Sequence, residues 1–182
     1  LKDSAGGLLV NGAAIVRNCL VAGNCATNPL SPSLDTDAGL VLTASASGAA
    51  VTNITVADNR HLTQGDQRAA YIAAGRLCNA ILWGNGTASD VRQTGGTITY
   101  TCLASATTGD GSGNLASNPA FKNAAAGDYR LLLASPCVDA GCDAGWTADD
   151  LDLAGNPRIL GKRIDIGAYE NTATSGTMLM LR

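Results

Sequence analysis

Three copies of one asparagine-bounded motif constrain this chain more than any other feature. NCLVAGN at Asn18 to Asn24, NITVADN at Asn53 to Asn59 and NAILWGN at Asn79 to Asn85 share the form Asn-x-x-(Val/Leu)-x-(Gly/Asp)-Asn. A short apolar stretch precedes each: GGLLV ending at Val10, AGLVL ending at Leu42 and AAYIA ending at Ala73. Self-similarity at such periods marks a repeat architecture, in which a unit that cannot bury its own apolar face stacks on the next. Each unit holds two short strands parted by Gly or Ser, and a unit of about 25 residues leaves room for a third. The pattern predicts an all-β solenoid.

Asparagine suits the corners of such a stack. It tolerates left-handed backbone angles and hydrogen-bonds locally. Units stacked about 4.8 Å apart bring equivalent side chains into reach, so Asn24, Asn59 and Asn85 are expected to form an amide ladder. Composition agrees. Gly is 22 of 182 residues, Asp outnumbers Glu 14 to 1 and Arg outnumbers Lys 9 to 3, so the common surface helix formers Glu and Lys are nearly missing. With 4 % aromatics and 46 % hydrophobic residues, the core must be built from Ala, Val, Leu and Ile.

Beyond Asn85 further strands are expected at Thr97 to Leu103, Asp128 to Leu133 and Ile164 to Tyr169, joined by Gly-rich connectors such as TTGDGSGN at Thr107 to Asn114. Residues 1–170 read as one run of stacked units with a cap from about residue 135, followed by a tail at 171–182. Residues 27–37, with Pro29 and Pro32, are expected to project as a loop. The chain opens at Leu1 without Met, which reads as a fragment whose upstream part, with any export signal, has been removed.

The order NAILWGN, TYTC, GNL, NPAF, GDYRLLLASPCVDAG, DLDLAGNPRI, IDIGAYE, from Asn79 to Glu170, resembles the C-terminal part of bacterial right-handed parallel β-helix proteins. Proteins with a choice-of-anchor domain belong to that group, and the stretch is also similar to the repeat regions of polymorphic outer-membrane proteins. The resemblance implies a three-sided right-handed parallel β-helix. It implies a role among adhesin-like surface proteins or enzyme accessory regions. Only 12 residues follow Glu170, too few for a spacer and a membrane anchor, so anchoring through this C-terminus is not expected.

A stack of strands needs an ending, because its last unit exposes unpaired backbone groups and an apolar cross-section. SPCVDAG, DLDLAGNPRI and IDIGAYE supply Asp139, Asp152, Arg158, Asp165 and Glu170 in a chain otherwise poor in charge. Arg158 is expected to pair with one or more of these acids, its planar fork suiting a carboxylate, and so to pin a capping loop across the end.

Candidate chemistry is sparse. In DDLDLAGN, Asp150 and Asp152 with the following Gly-Asn resemble an oxygen-rich Ca²⁺ loop, without the distal Glu of a helix-loop-helix site. A charge-paired capping loop is the competing reading, and no other cofactor is implied. The densest catalytic cluster is ADNRHLTQGDQR, with Asp58, Arg60, His61, Asp66 and Arg68. A polysaccharide lyase of this shape needs a base beside acidic Ca²⁺ ligands, and a glycoside hydrolase needs spaced carboxylates. A solvated corner loop accounts for the same residues. Trp83, expected to face outward, and Trp146 do not make a sugar-stacking platform. No GxSxG, HExxH or phosphate-loop pattern occurs, and one His excludes a multi-His metal site. The sequons at Asn53 and Asn85 carry no meaning in a bacterial chain.

Six cysteines permit 15 complete pairings, and an even count in an exported chain favours disulfides. Proximity suggests Cys19 with Cys25 and Cys137 with Cys142. The separation of Cys78 from Cys102, close to the length of one unit, suggests that they stack on adjacent rungs, as buried thiols or as a bridge. Buried thiols in a reduced protein are the alternative. A net charge of -3 argues against nucleic acid, and no run approaches the roughly 20 apolar residues of a membrane helix.

Together these features predict a non-enzymatic, extracellular or cell-surface bacterial β-helix segment, the C-terminal part of a larger adhesive or structural protein. Its expected partners are upstream coils, a second copy of the chain, a polysaccharide or a host surface. The two alternatives are a carbohydrate-active β-helix fragment and a self-assembling element stacking through its uncapped N-terminal coil.

Overall fold

The computed structural model describes residues 7–26, 39–61, 69–86, 91–105, 111–143 and 145–173. The expected loop at 27–37, the candidates Asp66 and Arg68, and the tail beyond Ala173 lie outside them. Four successive units each contribute short strands. The first holds β1 (Leu8–Val10), β2 (Ile15–Ala22) and β3 (Cys25–Ala26), and the second β4 (Leu40–Leu42), β5 (Ala50–Ala57) and β6 (Arg60–His61). The third holds β7 (Ala70–Ile72), β8 (Arg76–Cys78) and β9 (Ile81–Trp83), and the fourth β10 (Val91–Gln93), β11 (Thr97–Thr99) and β12 (Cys102–Leu103).

Strands of successive units pair with one another and always in parallel. One sheet runs β1-β4-β7-β10, a second joins β2, β5, β8, β9, β11 and β12, and β3 pairs with β6. The third strand expected in each unit is therefore present, as a two-residue piece, in the first two. Val16 pairs with Val51, Val51 with Leu77 and Leu77 with Ile98, so each unit is shorter than the one before it. The protein is thus all-β with mostly parallel sheets, and its only helical turn among the described residues is a 3-10 turn at Ala124–Ala126.

The motif explains how each unit bends. Its first Asn and the equivalent fourth-unit residue, at Asn18, Asn53, Asn79 and Tyr100, take φ between 48° and 52°. A left-handed residue breaks the two-residue alternation of a strand, so inward positions shift across it. Val51, Ile54 and Val56 face the core, as do Leu77, Ala80 and Leu82, while Ile81 joins a second cluster on the other face and Cys78 meets Cys142 of the closing segment. The Gly or Asp near the end of the motif is also left-handed, at Gly23, Asp58 and Gly84, which restricts that position to residues tolerating φ > 0. Leu40, Leu42 and Ile72 of the first sheet meet Val51, Ile54, Leu77 and Ile98 of the second in one apolar cluster.

The closing segment differs from expectation in two ways. Ile164 to Tyr169 forms no strand, because its backbone groups bond to scattered partners and not to one neighbouring strand: Ile166 N donates to Cys137 O (3.0 Å) and Gly167 N to Asn79 O (2.9 Å), Asn53 Nδ2 donates to the carbonyls of Asp165 (3.0 Å) and Gly167 (3.3 Å), and Ala168 N donates to Thr55 Oγ1 (3.1 Å). Nor does the segment lie across the end of the stack as a cap. It runs along the outer face of the second sheet and touches the bend of every unit. Asn18 Nδ2 donates to Leu151 O (2.6 Å), Asn53 meets Asp165, Asn79 meets Cys142, and Arg163 lies 5.4 Å over Tyr100. Three of the left-handed bends present side-chain amides on that face, and each amide nitrogen donates to a carbonyl of the segment. At the fourth unit the chain continues instead through Leu115, bridged in parallel to Cys102, and a hairpin of β13 (Phe121–Asn123) and β14 (Asp128–Leu131).

Candidate functional site

The last Asn of each motif builds a buried ladder. Asn24 Nδ2 donates to Asn59 Oδ1 (2.8 Å) and Asn59 Nδ2 to Asn85 Oδ1 (2.9 Å), while the backbone N–H groups of Asn24 and Asn59 donate to the same oxygens at 3.0 and 3.1 Å. The remaining amide hydrogens reach Val21 O and Val56 O. Asn59 is fully buried and holds both neighbours. Asn59→Ala is expected to cost about 2–3 kcal/mol, because it orphans buried donors and acceptors in two units; a urea melt showing less than ~0.5 kcal/mol would contradict the ladder's role.

A concavity of about 400 Å³ lies in the C-terminal segment and is lined by Val138, Asp139, Leu160, Asp165, Glu170 and Asn171. Three of the acids predicted from sequence therefore meet at one place. Their oxygens accept from backbone N–H groups. Asp139 Oδ1 accepts from Lys162 N (2.8 Å) and Arg163 N (3.1 Å), Asp165 Oδ1 from Asp139 N (2.7 Å), Asp165 Oδ2 from Asn171 N (2.6 Å), and Glu170 Oε1 from Asp165 N (2.9 Å). Burial pushes Asp165 above the usual carboxylate range. Glu170, the chain's only glutamate, rises to about 8, first through burial and then through the neighbouring Asp165, with Arg158 pulling it back.

Arg158 is fully buried beneath this pocket. Its NH2 donates to the carbonyls of Asp165 (3.0 Å) and Gly167 (2.7 Å), its Nε lies 3.3 Å from Glu170 Oε1, and its guanidinium sits 5.6 Å from the Trp146 ring centre. The acid that meets Arg158 is thus Glu170, and the two form an ion pair once Glu170 is ionised. Toward Asp165 the contact is to the backbone rather than the carboxylate. Trp146 donates its Nε1–H to Asn53 Oδ1 (2.9 Å), and Arg17 of β2 stacks on the same ring at 4.8 Å. Nothing in the local sequence pointed to Trp146 as an anchor, since its partner lies 93 residues away.

The proposed Ca²⁺ ligands serve turns. Asp150 Oδ2 accepts from Thr147 N (2.7 Å) and Thr147 Oγ1 (2.9 Å). Asp152 Oδ1 accepts from Ala154 N and Asn156 N, and its Oδ2 from Glu170 N (2.8 Å), which ties the DLDLAGN turn to the end of IDIGAYE. Among the described residues no three His, Cys, Asp or Glu side chains form a group able to hold a metal ion.

At the catalytic candidates, Asp58 is left-handed and exposed, and its Oδ2 accepts the Tyr129 hydroxyl at 2.9 Å. Burial and this bond push Tyr129 up to about 12, so the pair reads as an anchor for the β13–β14 hairpin. Tyr129 also packs edge-on against Phe121. Arg60 lies exposed on β6 opposite Cys25, and the His61 backbone pairs with Ala26. Trp83 is partly covered, packed against the cluster of Ile81, Cys102, Leu131 and Ile166, and is not an open platform.

None of the cysteine pairings suggested by spacing is present. No S–S bond joins any two of the six cysteines in this structure. Cys19 packs toward the core while Cys25 is exposed, so the two occupy different surroundings despite their proximity in sequence. The rung partner of Cys78 is Thr99 rather than Cys102, because the repeat here is shorter than the separation of the two cysteines, and Cys102 pairs with Ile81. The neighbour of Cys142 is Cys78 rather than Cys137.

No helix among the described residues is long and apolar enough to cross a membrane. Comparison with protein-family models, curated proteins and solved structures found no match for this chain.

Proposed function

We propose that the chain is a right-handed parallel β-helix serving, without catalysis, as a rigid adhesive or structural segment of a larger bacterial surface or secreted protein. The parallel strand order repeated through four units supports the solenoid, and the strong preference of parallel crossovers supports its right-handed sense. The observation that carries the functional reading is how the acids are used. Asp139, Asp152, Asp165 and Glu170 each accept backbone N–H groups, which makes them fasteners of the C-terminal segment and not free acids or bases. The motifs from Asn79 to Glu170 support grouping it with the choice-of-anchor and polymorphic outer-membrane-like proteins they resemble.

The open edge favours stacking as the mode of assembly. Among the described residues strand β1 ends its sheet, and Leu9 and Ile15 are 44 % and 73 % exposed there, an apolar rim suited to upstream coils or to a second copy of the chain. The test of the non-catalytic reading is incubation of the purified chain with uronic-acid polysaccharides, reading release of unsaturated and reducing ends. No turnover above buffer is expected. Turnover that falls on Arg60→Ala or His61→Ala would replace this reading with a carbohydrate-active one.

A further inference from the structure

We infer that Cys78 and Cys142, and with them Cys102 and Cys137, are disulfide pairs that fasten the C-terminal segment to the third and fourth units. The sulfurs of Cys78 and Cys142 lie 3.1 Å apart across 64 residues of chain. Their closeness is built by the residue next to Cys78. Asn79 Nδ2 donates to Cys142 O (2.8 Å), and its Oδ1 accepts from Cys142 N (2.9 Å), so one amide grips both backbone groups of Cys142. The left-handed bend at Asn79 directs that amide outward beside the outward-facing Cys78.

The second pair lies one unit further on, with Cys102 after its bend where Cys78 stands before its own. Cys102 faces out from β12 and shares a buried cluster with Cys137, both fully enclosed. Cys137 is held by a bond from its N–H to Ser135 Oγ (3.1 Å), and Ser135 in turn donates to Pro119 O. Burial and the adjacent Cys78 push the Cys142 thiol up to about 11, and the neighbouring Cys102 together with burial pushes Cys137 higher still. Thiols held so strongly protonated react slowly, which suits a fastening made once, during folding.

Each bridge requires two electrons to leave the protein, and the oxidant is a small-molecule or protein disulfide. A cysteine thiolate attacks it, breaking the oxidant's S–S bond and forming a mixed disulfide. The partner thiolate then attacks that mixed disulfide, closing the protein bridge and releasing the second oxidant thiol. Per bridge, two cysteines are oxidised, one disulfide is reduced to two thiols, and the two cysteine protons end on those thiols. The exported location proposed above enters only as the place where such an oxidant is met. The pairing itself rests on geometry.

The test uses the full chain refolded in a glutathione disulfide buffer, alkylated, and cut with trypsin and an Asp-directed protease. Cleavage before Asp139 separates Cys137 from Cys142. Peptide 77–89 is expected joined to 139–142, and 93–109 to 131–138, with Cys19 and Cys25 alkylated. The oxidised chain should melt roughly 5–15 °C above the reduced one, and Cys142→Ser should abolish the first link alone. Six alkylated thiols after exchange, or links joining Cys78 to Cys102 or Cys137 to Cys142, would overturn the assignment. Neither result bears on whether the chain turns over polysaccharide, so the two proposals fail separately.

Discussion

Arg158→Met is expected to lower the unfolding free energy by about 3–5 kcal/mol at alkaline pH, where Glu170 is ionised and would lose the cation beside it. The side chain is fully buried and lies 3.3 Å from Glu170 Oε1. The carbonyls of Asp165 and Gly167, which accept its NH2, also accept from Asn53 Nδ2 and so keep a partner. The loss therefore falls on the carboxylate and on packing against Trp146. Arg158→Lys should recover only part of it, because one ammonium cannot reach the two carbonyls that NH2 serves and also face Glu170 as Nε does. Arg158→Met combined with Glu170→Leu should be more stable than Arg158→Met alone, since no buried charge is left unpaired. Urea melts of the three variants check this, and a single-variant loss below ~1 kcal/mol would refute a central role for Arg158.

Stability is also expected to fall as pH rises from about 4.5 toward about 8. Glu170 moves from its ordinary 4.5 in the unfolded chain up to about 8 in the folded one. The folded state therefore holds the proton more tightly. Its contribution is complete below the unfolded value and is lost as pH climbs through the folded one. The full span amounts to about 4–5 kcal/mol, or roughly 10–15 °C in Tm for a domain of this size. Asp165 is shifted upward by burial in the same sense. Glu170→Gln should flatten the profile, matching the parent near pH 5 and exceeding it near pH 9. A parent Tm that is level across this window would show that Glu170 is not held neutral.

Legibility in the sequence followed how local each constraint was. The motif Asn-x-x-(Val/Leu)-x-(Gly/Asp)-Asn exposed the repeat because each position answers to one unit's geometry: a left-handed bend, inward aliphatics, a second left-handed turn and a ladder amide. The acids near Arg158 were legible because the chain's scarce charge gathers there, and Glu170 meets Arg158 as expected. What remained hidden was set by contacts between distant units. Trp146 with Asn53, Asn18 with Leu151 and Cys142 with Cys78 are separated by 93, 133 and 64 residues. The same bends that revealed the repeat also create the amide-lined flank where the closing segment docks, and no spacing within the segment encodes that. Cysteine spacing misled because the repeat shortens along the chain, from the Val16–Val51 step through Val51–Leu77 to Leu77–Ile98.

A linear array in which each unit touches only its neighbours frays from its ends, and its unfolding is a sum of nearest-neighbour steps. The closing segment changes that rule here. It contacts Asn18, Asn53, Asn79 and Tyr100 in four different units, so the first unit cannot peel away without disturbing contacts made by residues far downstream. Energetically it couples units that do not touch. The array then melts as one transition rather than unit by unit, and loosening that segment lowers the resistance of the whole stack to being pulled apart.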